Sequence, residues 1–325
     1  MKKLFVCALI IMACFTFNAF GQAKAKKIGI AHYSTQDQGA YIYAQVAQQY
    51  AKSKGYDVVF LDANNDAQKQ ATQFEDLINM KVDAILTVPV DAAALTDSVI
   101  KANKAGIPVA MMDRSTQGGQ FLCLVESDNV EHGYQAGLAM VDIAAKQGIA
   151  VKDLKVLELQ GDLASSAGLE RSQGFQKAAK EKGFKILQSL PTMWNTDKAY
   201  NCVLDGLQAH PDANAIFLPS DNICCNACVS ALKQLKLLVP AGQKGHIVIT
   251  SVDGGPDMLA AIKAGNTDAM AAQQVTTMPV KAIDYITQYF NGQMQATAGK
   301  VEKFPPAMGT KDNINSKDLW ANSIK

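Results

Sequence analysis

Along this chain, short runs of consecutive apolar residues alternate with longer stretches in which apolar and polar turns change places. KIGIAH (27–32) leads into AYIYAQVAQQYAKSKG, DVVFLDA (57–63) into DAQKQATQFEDLINMK, and VDAILTVPV (82–90) into DAAALTDSVIKANKAG; IPVAMMD and FLCLVESD follow. Runs of four to eight residues, rich in β-branched side chains and apolar on both faces, predict strands of a parallel sheet covered on both sides by helices. The amphipathic stretches predict those helices, several of them closed by a glycine suited to a left-handed cap: Gly55, Gly106 and Gly183.

The alternation then begins again. LKVLELQG (154–161), a helix around LERSQGFQKAAKEKG, FKILQSL, a helix from about Thr196, AIFLPSD, a cysteine-rich helix, HIVITSVD, PDMLAAIKAG and DAMAAQQ form a second βα unit of similar size. The expected architecture is therefore α/β, with two doubly wound Rossmann-like lobes. A length of 325 residues, 48% of them hydrophobic and 19% charged, suits two packed domains. No solenoid repeat or low-complexity tract interrupts the pattern, and the one proline pair, Pro305-Pro306, is read as part of the tail.

Charge narrows the function classes. Lys and Arg number 31 against 30 Asp and Glu, a formal net charge of +1, which leaves no electrostatic footprint for nucleic acid. The N-terminus, MKKLFVCALIIMACFTFNAFGQAKAKK, pairs two lysines with a short apolar stretch and small residues, the pattern of a secretory signal peptide over residues 1–23. Thr16 and Asn18 and the lack of a stop-transfer pattern disfavour a membrane anchor, and Met12 fits poorly with a lipid-modified Cys14.

Removing Cys7 and Cys14 with such a leader leaves five of the seven cysteines, an odd number. CCNAC (224–228) contains C-x-x-C, yet no second pair exists and the four histidines, His32, His132, His210 and His246, lack ligand spacing. Cys224, Cys225 and Cys228 are therefore read as small buried hydrophobes, with a Cys225–Cys228 or Cys202–Cys224 disulfide left open. Neither a metal nor a cofactor is expected.

Right-handed crossovers put the C-terminal ends of all strands of a sheet on one edge, and ligands bind outside that edge. The polar residues at those ends are Asp62, Asp113 with Arg114, Asp128 with Asn129, Ser220 with Asp221, Asp253 and Gln273. GIAHYSTQDQGAY after the first strand has no phosphate-binding glycine pattern, no G-x-S-x-G exists, and His32 at its strand end reads as structural rather than as a general base. An enzyme is disfavoured. A hydroxyl-rich neutral ligand, by contrast, needs acceptor-only carboxylates, donor-only guanidiniums and amides in fixed planes, with a flat aromatic under its C–H face. Asp113, Arg114 and Gln273 meet the first requirement and Trp194 in TMWNTDKA the second. Asp253 also reads as a turn acid before Gly-Gly-Pro, and Asp221 as the N-cap of the cysteine-rich helix.

The motifs MMDRS, VESDN, VLELQGDLASSAGLERSQGFQKA, TMWNTDKA, LQAHPDANAIFLPSDN and SVDGGPDMLAAIKAG together make the chain resemble the periplasmic sugar-binding proteins of ribose and galactose type, the type I solute receptors of ABC importers, over the whole length after the leader. The resemblance implies two lobes joined by a three-segment hinge, the first over 24–126 plus 275–302 and the second over 127–274 plus 303–325, with crossings near Ser127 to Asn129, Gln273 to Val275 and Glu302. It implies a monomer that traps one pentose or hexose and hands it to a membrane permease. Asp113 and Arg114 become a first-lobe ligand pair, Arg171 a second-lobe donor, Trp194 the stacking platform, and Asp253 and Gln273 further polar contacts. Asp37 matches a position that is Asn in ribose-type and Asp in galactose-type members.

Two departures stand out. Where ribose-type members carry paired phenylalanines, this chain has Gly39-Ala40 and then Tyr41, so Tyr33 or Tyr41 is left to supply the second wall. Ser220 replaces an Asn, with Asn222 nearby. The class is unaffected, but the ligand is left open among sugars, polyols, cyclitols and furanosyl molecules, and a chemoreceptor or sensor kinase stays open as a partner beside the transporter. The effector core of a sugar-responsive repressor shares this fold but needs a DNA-binding head where this chain has its leader.

Overall fold

A computed structural model describes residues 25–36 and 38–323. The leader, with Cys7 and Cys14, and Asp37 lie outside the described residues. In chain order the first unit comprises β1 (Lys27–His32), α1 (Gln38–Ser53), β2 (Asp57–Asp62), α2 (Ala67–Asn79), β3 (Ala84–Thr87), α3 (Thr96–Lys104), β4 (Val109–Met112) and β5 (Cys123–Ser127). The second comprises α4 (Asn129–Lys146), β6 (Lys155–Gln160), α5 (Ser166–Lys182), β7 (Lys185–Pro191), α6 (Thr196–Ala209), β8 (Ala215–Leu218), α7 (Asp221–Gln234), β9 (Val248–Asp253), α8 (Pro256–Lys263) and β10 (Ala269–Ala272). Then come α9 (Thr277–Phe290), β11 (Lys300–Phe304) and β12 (Ala307–Thr310).

The strands form two sheets, β2-β1-β3-β4-β5-β11 and β7-β6-β8-β9-β10-β12, parallel throughout except for the β10/β12 pair. Interior strands such as β3, β4, β8 and β9 are buried at every position, which is why apolar residues on both faces dominate their sequences. In each sheet the order turns back beside the first strand, between β1 and β3 and between β6 and β8, opening a crevice at the strands' C-terminal ends. The two-lobed α/β expectation is met.

Some elements differ from the sequence pattern. The helix expected from Asp91 begins only at Thr96, because the Asp91 side chain accepts from the Ala93 and Ala94 amides at 2.9 and 2.7 Å and holds them in a turn. Periodicity assigns nothing between Asp128 and Leu154, where α4 runs beneath the second sheet. There α4 meets α5 with almost no side chain between them: a Cβ on Gly133 would stand 2.0 Å from the Arg171 carbonyl oxygen, and one on Gly174 would stand 1.9 Å from that of Val130. Backbone-to-backbone contact therefore fixes where α5 carries Arg171.

Among the described residues the chain passes between sheets three times, after β5, between β10 and α9, and between β11 and β12. Glu302 pairs with Val125 inside the first sheet, and the third passage falls at Pro305 and Pro306, not at Glu302. The proline pair is thus a connector rather than part of a loose tail, since proline breaks the ladder where the chain must change sheets.

All five cysteines among the described residues are free. Cys224, Cys225 and Cys228 are buried in α7, so neither disulfide left open by the sequence is present, and burial drives their thiols well above the ordinary range. No group of His, Cys, Asp and Glu suited to a metal, and no helix long and apolar enough to cross a membrane, occurs among the described residues.

Candidate functional site

The C-terminal edges of the two sheets face one cavity of about 380 Å³. Tyr33, Asp113, Arg114, Arg171, Trp194, Ser220, Asn222, Asp253 and Gln273 all line it. Residues as far apart as 33 and 273 converge because each follows or ends a strand or lies in the first two turns of the helix after one. Asp37 lies outside the described residues.

On the first lobe, Asp113 directly follows β4 with φ 65°, a left-handed conformation uncommon outside glycine. Its carboxylate is 4% exposed and meets Arg114 Nε at 3.3 Å. The Arg114 guanidinium lies 4.4 Å from the Tyr33 ring centre, a cation–π contact. Tyr33 lines the cavity on this side, as does Tyr43. Tyr41 is 49% exposed and does not line the cavity.

On the second lobe the polar groups form a continuous network. Arg171, 3% exposed, donates from Nε to Asn129 Oδ1 at 2.9 Å and from Nη1 to the Pro219 carbonyl and to Asp253 Oδ1, each at 2.8 Å. Asp253 ends β9 at φ 100° and also accepts from Ser220 Oγ, from Gln273 Nε2 and, at 3.4 Å, from Asn222 Nδ2. A turn acid facing water would gather no such shell. Buried opposite charges hold only when their remaining hydrogen-bond positions are filled, as here. Trp320 Nε1 donates to the Asp253 carbonyl at 2.7 Å, fixing the strained residue from beneath.

Trp194 and Met193 follow β7 with φ 52° and 55°, a bend that sets the indole beside the cavity, its ring 5.8 Å from the Arg171 guanidinium. Trp194 Nε1 donates to Ser165 Oγ at 3.2 Å, and the same oxygen caps α5 by accepting from the Gly168 amide at 3.2 Å. One hydroxyl thus ties the aromatic platform to the helix that carries the arginine.

Other strand-end residues serve the scaffold. Asp62 accepts from Thr35 Oγ1 at 2.6 Å and from the Asn64 amide at 2.7 Å, closing a turn outside the cavity. Asp128 caps α4. Asp221 is not the N-cap of its own helix: it is the first residue of α7, and its carboxylate accepts from the Gly254 and Gly255 amides and from Ser251 Oγ, bracing the turn beyond Asp253. Burial and the neighbouring Asp253 carboxylate push its pKa up to about 8.

His32 Nε2 donates to the Ala40 carbonyl at 2.9 Å and His132 Nδ1 to the Asp128 carbonyl at 2.8 Å; burial holds each imidazole down at about 4 and hence neutral. Sequence reasoning passed over Tyr43, whose hydroxyl lies 2.9 Å from Gln273 Oε1, and named Asn129, the partner of Arg171, only as a strand-end polar group. Asn129 belongs to the strand-end set. Tyr43 carries only a spacing signal: it falls four and three residues after Gly39 and Ala40 on one face of α1.

Two α/β lobes joined by three crossings, with one cavity lined by opposite charges between their sheet edges, define a type I binding-protein architecture. The chain belongs to the periplasmic binding protein family: the family's domain model, "Periplasmic binding protein domain", matches residues 25–294. It is 34% identical over 247 residues to the ribose import binding protein of Salmonella typhimurium, covering 76% of this chain and 79% of that one. To the ribose import binding protein of Bacillus subtilis it is 36% identical over 224 residues, covering 69% and 68%. The solved structure of a galactofuranose binding protein superposes with a TM-score of 0.81 at 22% identity over 92% of this chain and 98% of that one, a likeness of fold.

Proposed function

We propose that this protein is an exported solute receptor that captures one monosaccharide, or a polyhydroxylated molecule of that size, between its lobes and delivers it to an ABC importer from the periplasm. The observation that carries this reading is the meeting of Asp113 and Arg114 from one sheet edge with Arg171 and Asp253 from the other around a single cavity of about 380 Å³. Asp113 and Asp253 each stand against a guanidinium, so neither carboxylate is left for a cation to balance, while acceptors and donors alternate as ligand hydroxyls require. Trp194 and Tyr33 supply flat apolar surface to opposite lobes' walls.

The chain binds and does not transform: the two site-proximal histidines are neutral and committed to carbonyls, and the family is one of binding proteins. A ligand bridging Asp113/Arg114 and Arg171/Asp253 contacts both lobes only when they are together, and so shifts the population toward the closed form that a permease recognises.

Calorimetry and tryptophan fluorescence of the purified protein against ribose, allose, galactose, arabinose, xylitol and myo-inositol test the proposal. Saturable one-to-one binding of a neutral member, with none for phosphorylated or acidic sugars, is the expected result. Silence across the whole neutral panel, or preference for an ionic solute, would overturn it.

A further inference from the structure

Tyr43 stands where the two lobes and the ligand cavity meet. It shares one face of α1 with Gly39 and Ala40, and all three line the cavity. Two small side chains on that face leave room for a phenol to reach the strand edge, and the tyrosine is 2% exposed. Its hydroxyl lies 2.9 Å from Gln273 Oε1 and 3.3 Å from Asp113 Oδ1. Both oxygens are acceptors, and a phenol carries a single proton, so it serves one of them at a time.

The two acceptors belong to different halves. Asp113 follows β4 in the sheet that α1 packs on; Gln273 follows β10 of the other sheet, at a crossing. The amide of Gln273 is held at both ends. Its nitrogen donates to the Asp253 carboxylate, which can only accept and so fixes the amide's orientation, and its oxygen also takes a bond from Ser127 Oγ at 2.8 Å. Burial and the Asp113 charge keep the Tyr43 phenol protonated throughout the accessible range.

We infer that Tyr43 is a positioning residue that couples ligand capture to lobe closure, its single phenolic proton shared between Asp113 of its own lobe and Gln273 at the hinge. The inference rests on the reading of the cleft as a receptor for a hydroxylated ligand. With the lobes apart, Gln273 goes with Asp253, and Tyr43 turns to Asp113. A ligand hydroxyl donating to Asp113 displaces that bond and commits the Tyr43 proton to Gln273, a bond available only with the lobes together. The ligand thereby stabilises closure through a contact it does not itself make.

The test is single-molecule energy transfer between dyes on noncanonical residues replacing exposed Lys69 and Lys185, one on each lobe, in full-length protein. Without ligand, where the open form loses its Tyr43–Asp113 bond as well, Tyr43→Phe should not lower the closed-to-open ratio; at saturating ligand it should lower that ratio about 2- to 12-fold, the net worth of one neutral hydrogen bond. Gln273→Ala should lower it at least as much, and adding Tyr43→Phe to it should lower it no further. Affinity for whichever of ribose, allose, xylitol or myo-inositol binds should fall by the same factor for each of them in Tyr43→Phe. An unchanged ratio at saturating ligand in Tyr43→Phe, effects that multiply in the double variant, or a loss confined to ligands bearing one particular hydroxyl would each overturn the coupling. If Tyr43→Phe does not fold, Gln273→Ala decides alone, an unchanged ratio overturning the coupling. Failure of every probe to bind would sink the receptor reading, while a ligand-free ratio lowered by Tyr43→Phe would sink the coupling on its own.

Discussion

Asp113 and Asp253 are counterparts in the two lobes. β4 and β9 hold the same place in their sheets, fourth from the β2 and β7 edges; one aspartate follows its strand and the other ends it. Both take a positive φ, 65° and 100°, and each faces an arginine, at 3.3 and 2.8 Å. The cleft is thus built twice from one device, a strand end turned through a positive φ that sets a carboxylate against an arginine in the cavity wall.

That bend is testable at Asp113. A residue with a Cβ is strained in the left-handed region by about 1–2 kcal/mol relative to glycine. Asp113→Gly should therefore unfold at higher denaturant than Asp113→Ala, while both lose the ligand response. Equal stabilities in urea melts would show that the backbone there carries no strain.

Arg171 and Asp253 should be mutually dependent. Removing either leaves an unpaired buried charge, at a cost of about 3–5 kcal/mol. Arg171→Ala and Asp253→Ala should each lower the unfolding midpoint sharply and abolish binding, whereas the double variant should recover part of the stability and none of the binding. Chemical denaturation across the four-member cycle, paired with calorimetry, measures both.

The Trp194 platform depends on a missing side chain. A Cβ on Gly161 would stand 2.2 Å from Trp194 Cη2. Gly161→Ala should push the indole off the wall, remove the ligand-induced change in tryptophan emission and weaken binding about 2- to 12-fold, the range of one aromatic contact. Trp320, tied to the Asp253 carbonyl, should keep its emission.

His246 supplies a pH signature away from the cleft. Both ring nitrogens face acceptors, the Val239 carbonyl at 2.6 Å and Asp268 Oδ2 at 2.8 Å, an arrangement that only the doubly protonated imidazolium fills. Burial opposes the charge, but these bonds outweigh it and raise the pKa above 6.5. A raised folded value means the stabilisation is complete below pH 6.5 and is lost as pH climbs through the folded value. The stability gap between wild type and Asp268→Asn should therefore be wider at pH 5.5 than at pH 8.5. A gap that widens with pH would refute the assignment.

The thiols should be silent. With every described cysteine free, and only Cys202 partly exposed, reductant should leave the melting temperature unchanged, and a thiol reagent should label at most that residue before unfolding. A drop in stability on reduction would reveal a bridge between molecules.

The sequence by itself determined the alternation of buried strands and amphipathic helices, the doubling into two lobes, and the polar residues at strand ends. These follow from local rules: side-chain period, cap chemistry and the handedness of crossovers are written in neighbouring residues. Tertiary structure decided which of those ends matter. Asp221 and Asp253 look alike in the chain, each an aspartate between a strand and a helix, yet one braces a turn and the other faces Arg171, because the distinction lies in partners 30 and more positions away. It likewise turned Pro305-Pro306 into a hinge segment and brought Tyr43 to Gln273 across 230 positions. No periodicity records such a meeting; it exists only once two sheets have folded and their edges face each other.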